Sequence, residues 1–371
     1  MKITSVKTHL LRSQLPRAIG PSTAWYSSRE SLLVKISTDE GLSGWGETAP
    51  LGGVRGLIDE LGSTLIGQDP REHRRLWRQI WGPNFGNGLA VGALDTALHD
   101  LRGKALGLSV AELYGGRLRD RVPAYASTMN YTEGLDPLRQ YPEEATAAVR
   151  QGFRALKMRI GGQPPRRDLA VVAAVREAVG PDVKLMADGN GAYTLSTAIR
   201  VGRELDRLGL YWFEEPLPES PNYAGYEVLT DNLDIAIAGG EVLDSRGVAR
   251  ELICRRAFDI IQPDVSLCGG IAECLFVAEM ARLWGTQCNP HCWGGAIVIA
   301  ATLHVLALLP DESWARTTET PMLELDIYEN PFRDELVTRP VKVQDGLVEV
   351  PTGPGLGIEV NEDVLKRYEV V

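Results

Sequence analysis

The stretch Lys184-Leu-Met-Ala-Asp-Gly-Asn190 reads as a short apolar strand that ends on a carboxylate and stops at a glycine. The same grammar returns twice downstream, in Trp212-Phe-Glu214 and in Gly239-Gly-Glu241. Working outward from these three, strands are expected at 122–127, 155–160, 184–188, 210–214, 235–241, 259–264 and 287–291, with a last one before Glu324. A helical pattern follows each, at the spacing of roughly 25–35 residues that a βα unit needs. Eight parallel strands in a row predict an α/β fold of the (β/α)₈, modified TIM-barrel type. A doubly wound open sheet is the alternative, but polar residues at most of the strand ends suit a barrel better.

The flanks differ from this repeat. Residues 1–121 read as an α+β capping domain, completed by 341–371, and 122–340 as the barrel. Met1 to Thr8 alternates like a strand, as does Ser31-Leu-Leu-Val-Lys-Ile-Ser37, and Asp39-Glu-Gly41 turns the chain into Leu42-Ser-Gly-Trp-Gly-Glu47. Helical patterns begin near Pro70 and Leu89, with Gly103 and Gly107 as stop signals for the second. Gly346-Leu-Val-Glu-Val350 and Gly353-Pro-Gly-Leu-Gly357 are expected to pack back on the first domain.

The 371 residues carry 49 acidic and 39 basic side chains, a net charge of −10, with 44% hydrophobic and 24% charged residues. That is the composition of an ordinary globular protein. The acidic surplus argues against nucleic acid as a partner, because such binding needs clustered cations. No run of about 18 apolar residues exists to span a membrane, since Gly294 to Pro310 is interrupted by Thr302 and His304. The N-terminus lacks a signal-peptide core, so a cytoplasmic protein is expected. The 5 cysteines, all between Cys254 and Cys292, do not form a secreted disulfide framework and read as buried or incidental. The sequence leaves a homo-oligomer open.

Taking only the strand ends collects Lys157, Arg159, Asp188, Glu214, Glu241, Asp264, His291 and Glu324. In a parallel barrel these ends face one cavity. Asp188, Glu214 and Glu241 would repel one another without a cation between them. Oxygen-only ligation selects a hard ion, Mg²⁺ first and Mn²⁺ second. Each acid alone would be read as a solvated loop residue or helix cap; three at equivalent strand ends favour a metal. Lys157 and Arg159 lie two apart on one strand, so both point inward, either to neutralise these acids or to polarise a substrate carboxylate. An Asp264 beside His291 on the next strand fixes its tautomer, as a general base requires.

These residues are similar to those of the enolase superfamily, in its mandelate racemase and muconate-lactonizing branch. The resemblance is carried by Leu156-Lys-Met-Arg-Ile-Gly161, Asp188-Gly-Asn190, Trp212-Phe-Glu-Glu-Pro216, Gly239-Gly-Glu241, Gln262-Pro-Asp264 and Pro290-His291. It implies Mg²⁺ on Asp188, Glu214 and Glu241, an acid/base in His291 with Asp264, and Glu324 hydrogen-bonded to the substrate carboxylate, with Glu319 competing for that role. It implies abstraction of a proton α to a carboxylate through a metal-stabilised ene-diolate. Pro290-His-Cys-Trp-Gly-Gly295, and Met322-Leu-Glu-Leu-Asp326 with Asn330-Pro-Phe-Arg333, look most like the sugar-acid lactone and anhydro-sugar-acid cycloisomerases. A small anionic sugar acid or its lactone is thus the expected substrate, with dehydration or cycloisomerisation as the reaction. Tyr26 in the loop from Ser22, Asn190 and Trp293 are the candidate substrate contacts.

Arg159 departs from the pattern, since the family usually has Lys-x-Lys there, with the second lysine as a base. A guanidinium stays protonated at neutral pH, which weakens the alternative of a racemase or epimerase and leaves room for a non-catalytic relative. Two other motifs read as structure. Gly86-Asn-Gly88 with Gly92 lacks the strand a dinucleotide loop needs. Cys288, His291 and Cys292 lack a second pair at zinc-finger spacing.

Overall fold

The computed structural model describes residues 1–82, 87–218, 223–312 and 318–370. Gly86, part of the weak dinucleotide motif, lies outside them. The chain opens with a long antiparallel pair, β1 (Ile3–Gly20) and β2 (Tyr26–Thr38), followed by β3 (Ser43–Thr48). Gly41 turns the chain between β2 and β3 with φ +80°, where a side chain would be strained. Helices α1 (Val54–Ser63), α2 (His73–Trp81), α3 (Gly88–Leu106) and the one-turn α4 (Val110–Leu113) follow.

Buried side chains of β2, including Leu32, Val34 and Ile36, pack with Ala90, Leu94, Ala97 and Leu101 of α3. Close approach explains Gly46: a Cβ there would lie 1.9 Å from the Ala93 carbonyl oxygen. Helix α3 runs through Gly103 and stops at Gly107, a left-handed C-cap with φ 71°. Gly103 is therefore no stop signal; it is small because Gly355 lies against it, 2.6 Å from where a Cβ would sit.

The barrel follows as β4 (Arg121–Ser127), the short β5 (Tyr131–Thr132) that pairs with β1, α5 (Pro137–Arg150), β6 (Ala155–Arg159), α6 (Pro165–Val179), β7 (Lys184–Asp188), α7 (Leu195–Arg207), β8 (Trp212–Glu214), α8 (Tyr226–Asn232), β9 (Ala236–Gly239), α9 (Arg246–Cys254), β10 (Ile260–Ile261), α10 (Ile271–Trp284), β11 (Gln287–Cys288), α11 (Ala296–Leu308) and β12 (Leu323–Asp326). Parallel ladders run in the order β11-β10-β9-β8-β7-β6-β4, and β12 pairs with β4 on the other side. Between β11 and β12 the seam is closed by a side chain. The Asn289 amide accepts from Met322 N at 2.7 Å and donates to its carbonyl at 3.1 Å, standing in for a backbone rung.

Period-two alternation decides what fills the barrel. Leu156, Leu185, Ala187, Phe213, Ile237 and Ile261 face the helices in the main core. Tyr125, Ala155, Met186, Trp212, Ala238, Ile260 and Met322 form a separate inner cluster that plugs the interior. The next inward positions above that plug are Lys157, Asp188, Glu214, Gln262 and Glu324, all buried.

After α12 (Pro331–Asp334) come β13 (Val343–Gln344), β14 (Leu347–Glu349) and α13 (Glu362–Tyr368). The tail meets the barrel before it meets the first domain. Strand β14 pairs antiparallel with the start of β4; Gly355 then packs back on the first domain, donating to Leu108 O at 2.9 Å and accepting from Val110 N at 2.8 Å, and beyond α13 Val370 N bonds to Leu10 O at 2.7 Å on β1. No helix among the described residues is long and apolar enough to cross a membrane.

Candidate active site

The C-terminal ends of β6 to β12 assemble one buried polar cluster. Lys157 has its Nζ paired with Glu214 Oε1, 2.8 Å from Glu324 Oε1 and 3.7 Å from Asp188 Oδ2. Burial opposes the ammonium charge, but Glu214 and Glu324 outweigh it and raise the Lys157 pKa. Lys157 is therefore a fixed cation. Arg159, at the end of the same strand, is paired through Nη1 with Asp188 Oδ2 and touches Asn190 Oδ1 at 3.5 Å. Asn190 holds Asp188 from the other side, through its backbone N at 2.8 Å and its amide at 3.2 Å.

Period two also places residues that the sequence reading passed over. Trp212 and Gln262 each donate to Glu214 Oε2 at 2.9 Å. Trp212 lies two before Glu214 and Gln262 two before Asp264, so strand alternation was the available signal. Arg29 of β2 gave none: it reaches over 297 residues to Asp326 Oδ2 at 2.7 Å. Its guanidinium lies 5.2 Å from the Trp293 ring, and that of Arg159 lies 5.3 Å from the same ring. Trp293 thus joins the cluster through two cations.

His291 closes the far side. Its Nδ1 lies 2.7 Å from Asp264 Oδ2, whose other oxygen accepts from Ser266 N and Oγ at 2.7 and 2.6 Å. Its Nε2 lies 3.2 Å from Glu241 Oε2 and 3.7 Å from Glu324 Oε2. Burial alone would depress the imidazole pKa, but Glu241, Glu324 and Asp264 push it up to about 10. Glu324 moves the opposite way: burial works against its charge, yet Lys157, His291 and Arg159 hold the carboxyl well below the usual range.

Two expectations need correction. Glu319 is not part of the cluster: it pairs with Lys184, the first residue of β7, at the opposite end of that strand from Asp188. Glu324 is the second residue of β12, not the residue beyond a strand, so it sits deep beside Lys157 while Asp326 ends the strand. There one oxygen faces Lys157 and the other faces His291. Tyr26 is half exposed at the start of β2 and forms no side-chain hydrogen bond with the cluster.

The donor set of Asp188, Glu214 and Glu241 fits a hard divalent ion, being carboxylate oxygens alone. Among the described residues, five carboxylates, counting Asp264 and Glu324, face only Lys157, Arg159 and His291 as cations, and a further positive charge would balance them. The three oxygens are turned onto Lys157, Arg159 and His291 and do not form one tight ligand group. The tight group that does occur among the described residues, His73, Asp95 and His99, is a hydrogen-bond network. His73 Nε2 lies 2.7 Å from Asp95 Oδ1, shorter than the roughly 3.3 Å between ligands of a tetrahedral zinc. Burial pushes the Cys288 and Cys292 thiols far above their ordinary range, as in inert structural cysteines. Cys254 alone among the five is exposed.

Comparison with known proteins follows the same lines. Residues 5–115 match the mandelate racemase / muconate lactonizing enzyme N-terminal domain, and 140–364 match the enolase C-terminal domain-like family. The chain is 36% identical to the D-galactarolactone cycloisomerase of Agrobacterium fabrum, covering 100% of this chain and 99% of that one. It is 32% identical to the arabinonate dehydratase of Saccharolobus solfataricus, over 92% and 91%. Among solved structures, the 3,6-anhydro-D-galactonate cycloisomerase of Zobellia galactanivorans superposes with a TM-score of 0.89 at 33% identity, covering 100% of both chains. A racemase of Streptomyces coelicolor with bound magnesium gives 0.87 at 29% identity, over 99% and 100%. With its capping and barrel regions both matched, and its strand-end cluster built as described, the chain belongs to the enolase superfamily, in the mandelate racemase and muconate lactonizing enzyme branch.

Proposed function

We propose that this protein is a magnesium-dependent lyase or isomerase that removes the proton α to the carboxylate of a sugar acid or its lactone and expels a β-oxygen. The observation that carries this reading is the His291–Asp264 pair facing a carboxylate-rich pocket braced by Lys157. Asp188, Glu214 and Glu241 would hold the magnesium, which when bound supplies positive charge for the two oxygens of the ene-diolate.

The remaining work falls to the side chains. Asp264 accepts the Nδ1 proton of His291, leaving Nε2 to exchange a proton with substrate. His291 keeps its Nε2 proton while Glu241 and Glu324 face it. Release of Glu241 from that contact would remove one of the three charges that raise the imidazole, leaving Nε2 freer to accept an α-proton. A positioned base contributes about 10²–10⁴-fold, or roughly 3–5 kcal/mol, too little for a carbon acid beside a carboxylate. Fixed cations must supply the rest, and Lys157 is held in place for it. In the elimination the α C–H and β C–O bonds break and an enol forms, which becomes a 2-oxo acid. If the leaving oxygen belongs to a lactone or anhydro ring it stays attached and the reaction is an isomerisation; if it is a hydroxyl, His291 protonates it and water leaves.

Racemisation or epimerisation is the weaker reading. It needs an acid/base on each face of the α-carbon, and Arg159, locked on Asp188, is a permanent cation where a second base would stand. Incubating the protein and Mg²⁺ with a panel of aldonic acids, aldaric lactones and anhydro-sugar acids tests the proposal. A 2-oxo, 3-deoxy acid is expected from one class. No product from any of them, with Mg²⁺ binding demonstrated by calorimetry, would overturn it and leave the non-catalytic reading.

A further inference from the structure

The end of β3 belongs to the capping region, yet its last two side chains are buried against the barrel. Glu47 is only 2% exposed. Its carboxylate accepts from Ser31 Oγ at 2.8 Å, from Gly295 N at 2.6 Å and from Val298 N at 3.1 Å. Those two N–H groups open α11, whose N-cap residue, Gly295, has no side chain to cap it. The first N–H groups of a helix need partners from elsewhere, and here a strand of the other domain provides them. The fit is close, since a Cβ on Gly295 would lie 2.7 Å from Glu47 Oε1 and 2.9 Å from the Phe332 carbonyl oxygen. A buried carboxylate is costly without such donors, so mere space-filling does not account for it.

Thr48, the next residue, donates its hydroxyl to the Ser266 carbonyl at 3.2 Å. Ser266 is the residue whose N–H and Oγ hold Asp264 Oδ1, leaving Oδ2 for His291. The segment 291–295 is anchored at its start by the end of β11 and at its finish by Glu47. Two consecutive residues of one capping strand therefore hold the elements that carry the two halves of the dyad.

We propose that Glu47 and Thr48 are positioning residues that brace the dyad from the capping domain. Glu47 fixes the segment that follows His291, and Thr48 fixes the turn that presents Asp264. This inference rests on the reading of His291 as the acid/base, and its test separates the two. The full-length protein with Mg²⁺ is prepared with Glu47→Gln, Thr48→Val and Thr48→Ser. Two properties are measured: kcat and KM on whichever sugar acid the parent turns over, and the Nδ1–H resonance of His291 in ¹⁵N-histidine NMR without substrate.

Glu47→Gln and Thr48→Val are expected to lower kcat on the order of 10-fold with KM changed less than about twofold. The resonance is expected to move while circular dichroism stays that of the parent, and Thr48→Ser restores both properties. Folded variants with parental kcat and an unmoved resonance would overturn the brace. So would a fall in kcat and unfolding midpoint together with the resonance unmoved, the pattern of a purely structural joint. If Glu47→Gln fails to fold, the Thr48 variants decide alone. A moved resonance in a protein that turns over no sugar acid supports the brace and counts against the functional reading.

Discussion

At the scale of single residues, the proposed chemistry turns on which atoms of His291 are free. Asp264 takes one ring nitrogen, so Asp264→Asn would offer an amide where an acceptor is needed and favour the wrong tautomer. By analogy with the serine-protease triad, where the same change at the orienting Asp costs about 10⁴-fold, a fall in kcat of roughly 10²–10⁴-fold is expected, with circular dichroism unchanged; a fall of less than twofold would mean that Asp264 does not orient the base. Arg159→Met removes a cation that neutralises Asp188, and should lower kcat more than it raises KM if the guanidinium acts as a clamp. Most of these residues were legible in the sequence because a parallel barrel sends every strand end to one place. Lys157, Asp188, Glu214, Asp264 and His291 needed only that rule. Arg29 did not follow from it, because nothing in Tyr26-Ser-Ser-Arg29 says that this strand crosses to the barrel rim. Glu319 was misread for a related reason: strand β12 starts later than expected, so a residue that precedes it falls at the wrong end.

At the scale of elements, the strand over 184–188 has its expected bounds, but those after it were predicted too long, with β10 and β11 reduced to two residues each. Ladder pairing ends where the chain bends away to present Gln262, Asp264 and His291, so residues that read as strand in fact act as loop. The seam between β11 and β12 depends on Asn289, an unusual place for a side chain to carry a backbone's hydrogen bonds. Asn289→Ala would leave the N–H and carbonyl of buried Met322 without these partners. Unpaired buried groups cost about 1–3 kcal/mol each, and a loss of about 2–4 kcal/mol is expected in urea unfolding. A loss below about 0.5 kcal/mol would show that the seam does not need this bridge. Helix α11 illustrates what a sequence withholds: its apolar run was visible, but the capping of its start by Glu47, from a strand in another domain, was not.

At the scale of the whole molecule, α11 also ties stability to pH. His304, buried in that helix, bonds through Nε2 to Leu356 O at 3.2 Å. Burial holds its pKa down, to about 4. As pH falls below about 6.5 the unfolded chain takes up a proton that the folded chain refuses until about pH 4. Stability therefore declines across that window, by on the order of 3 kcal/mol from this group. His304→Gln should be less stable at pH 7 yet lose less between pH 6.5 and 4, and a slope equal to the parent's would contradict the assignment. The net charge of −10 is a second whole-molecule property, and its meaning narrows once the site is seen: part of that charge is concentrated where a divalent cation would sit, so it need not repel an anionic substrate. The central claim, that His291 removes an α-proton with magnesium present, is tested most directly by ¹H NMR of the substrate in D₂O. The α-proton signal is expected to be lost with the parent protein and Mg²⁺, with one solvent deuterium exchanged into the 3-deoxy carbon beside the new 2-oxo group, no such exchange after chelation with EDTA, recovery on adding Mg²⁺ back, and none with His291→Asn. Exchange that persists at the parental rate in EDTA or in His291→Asn would contradict the account.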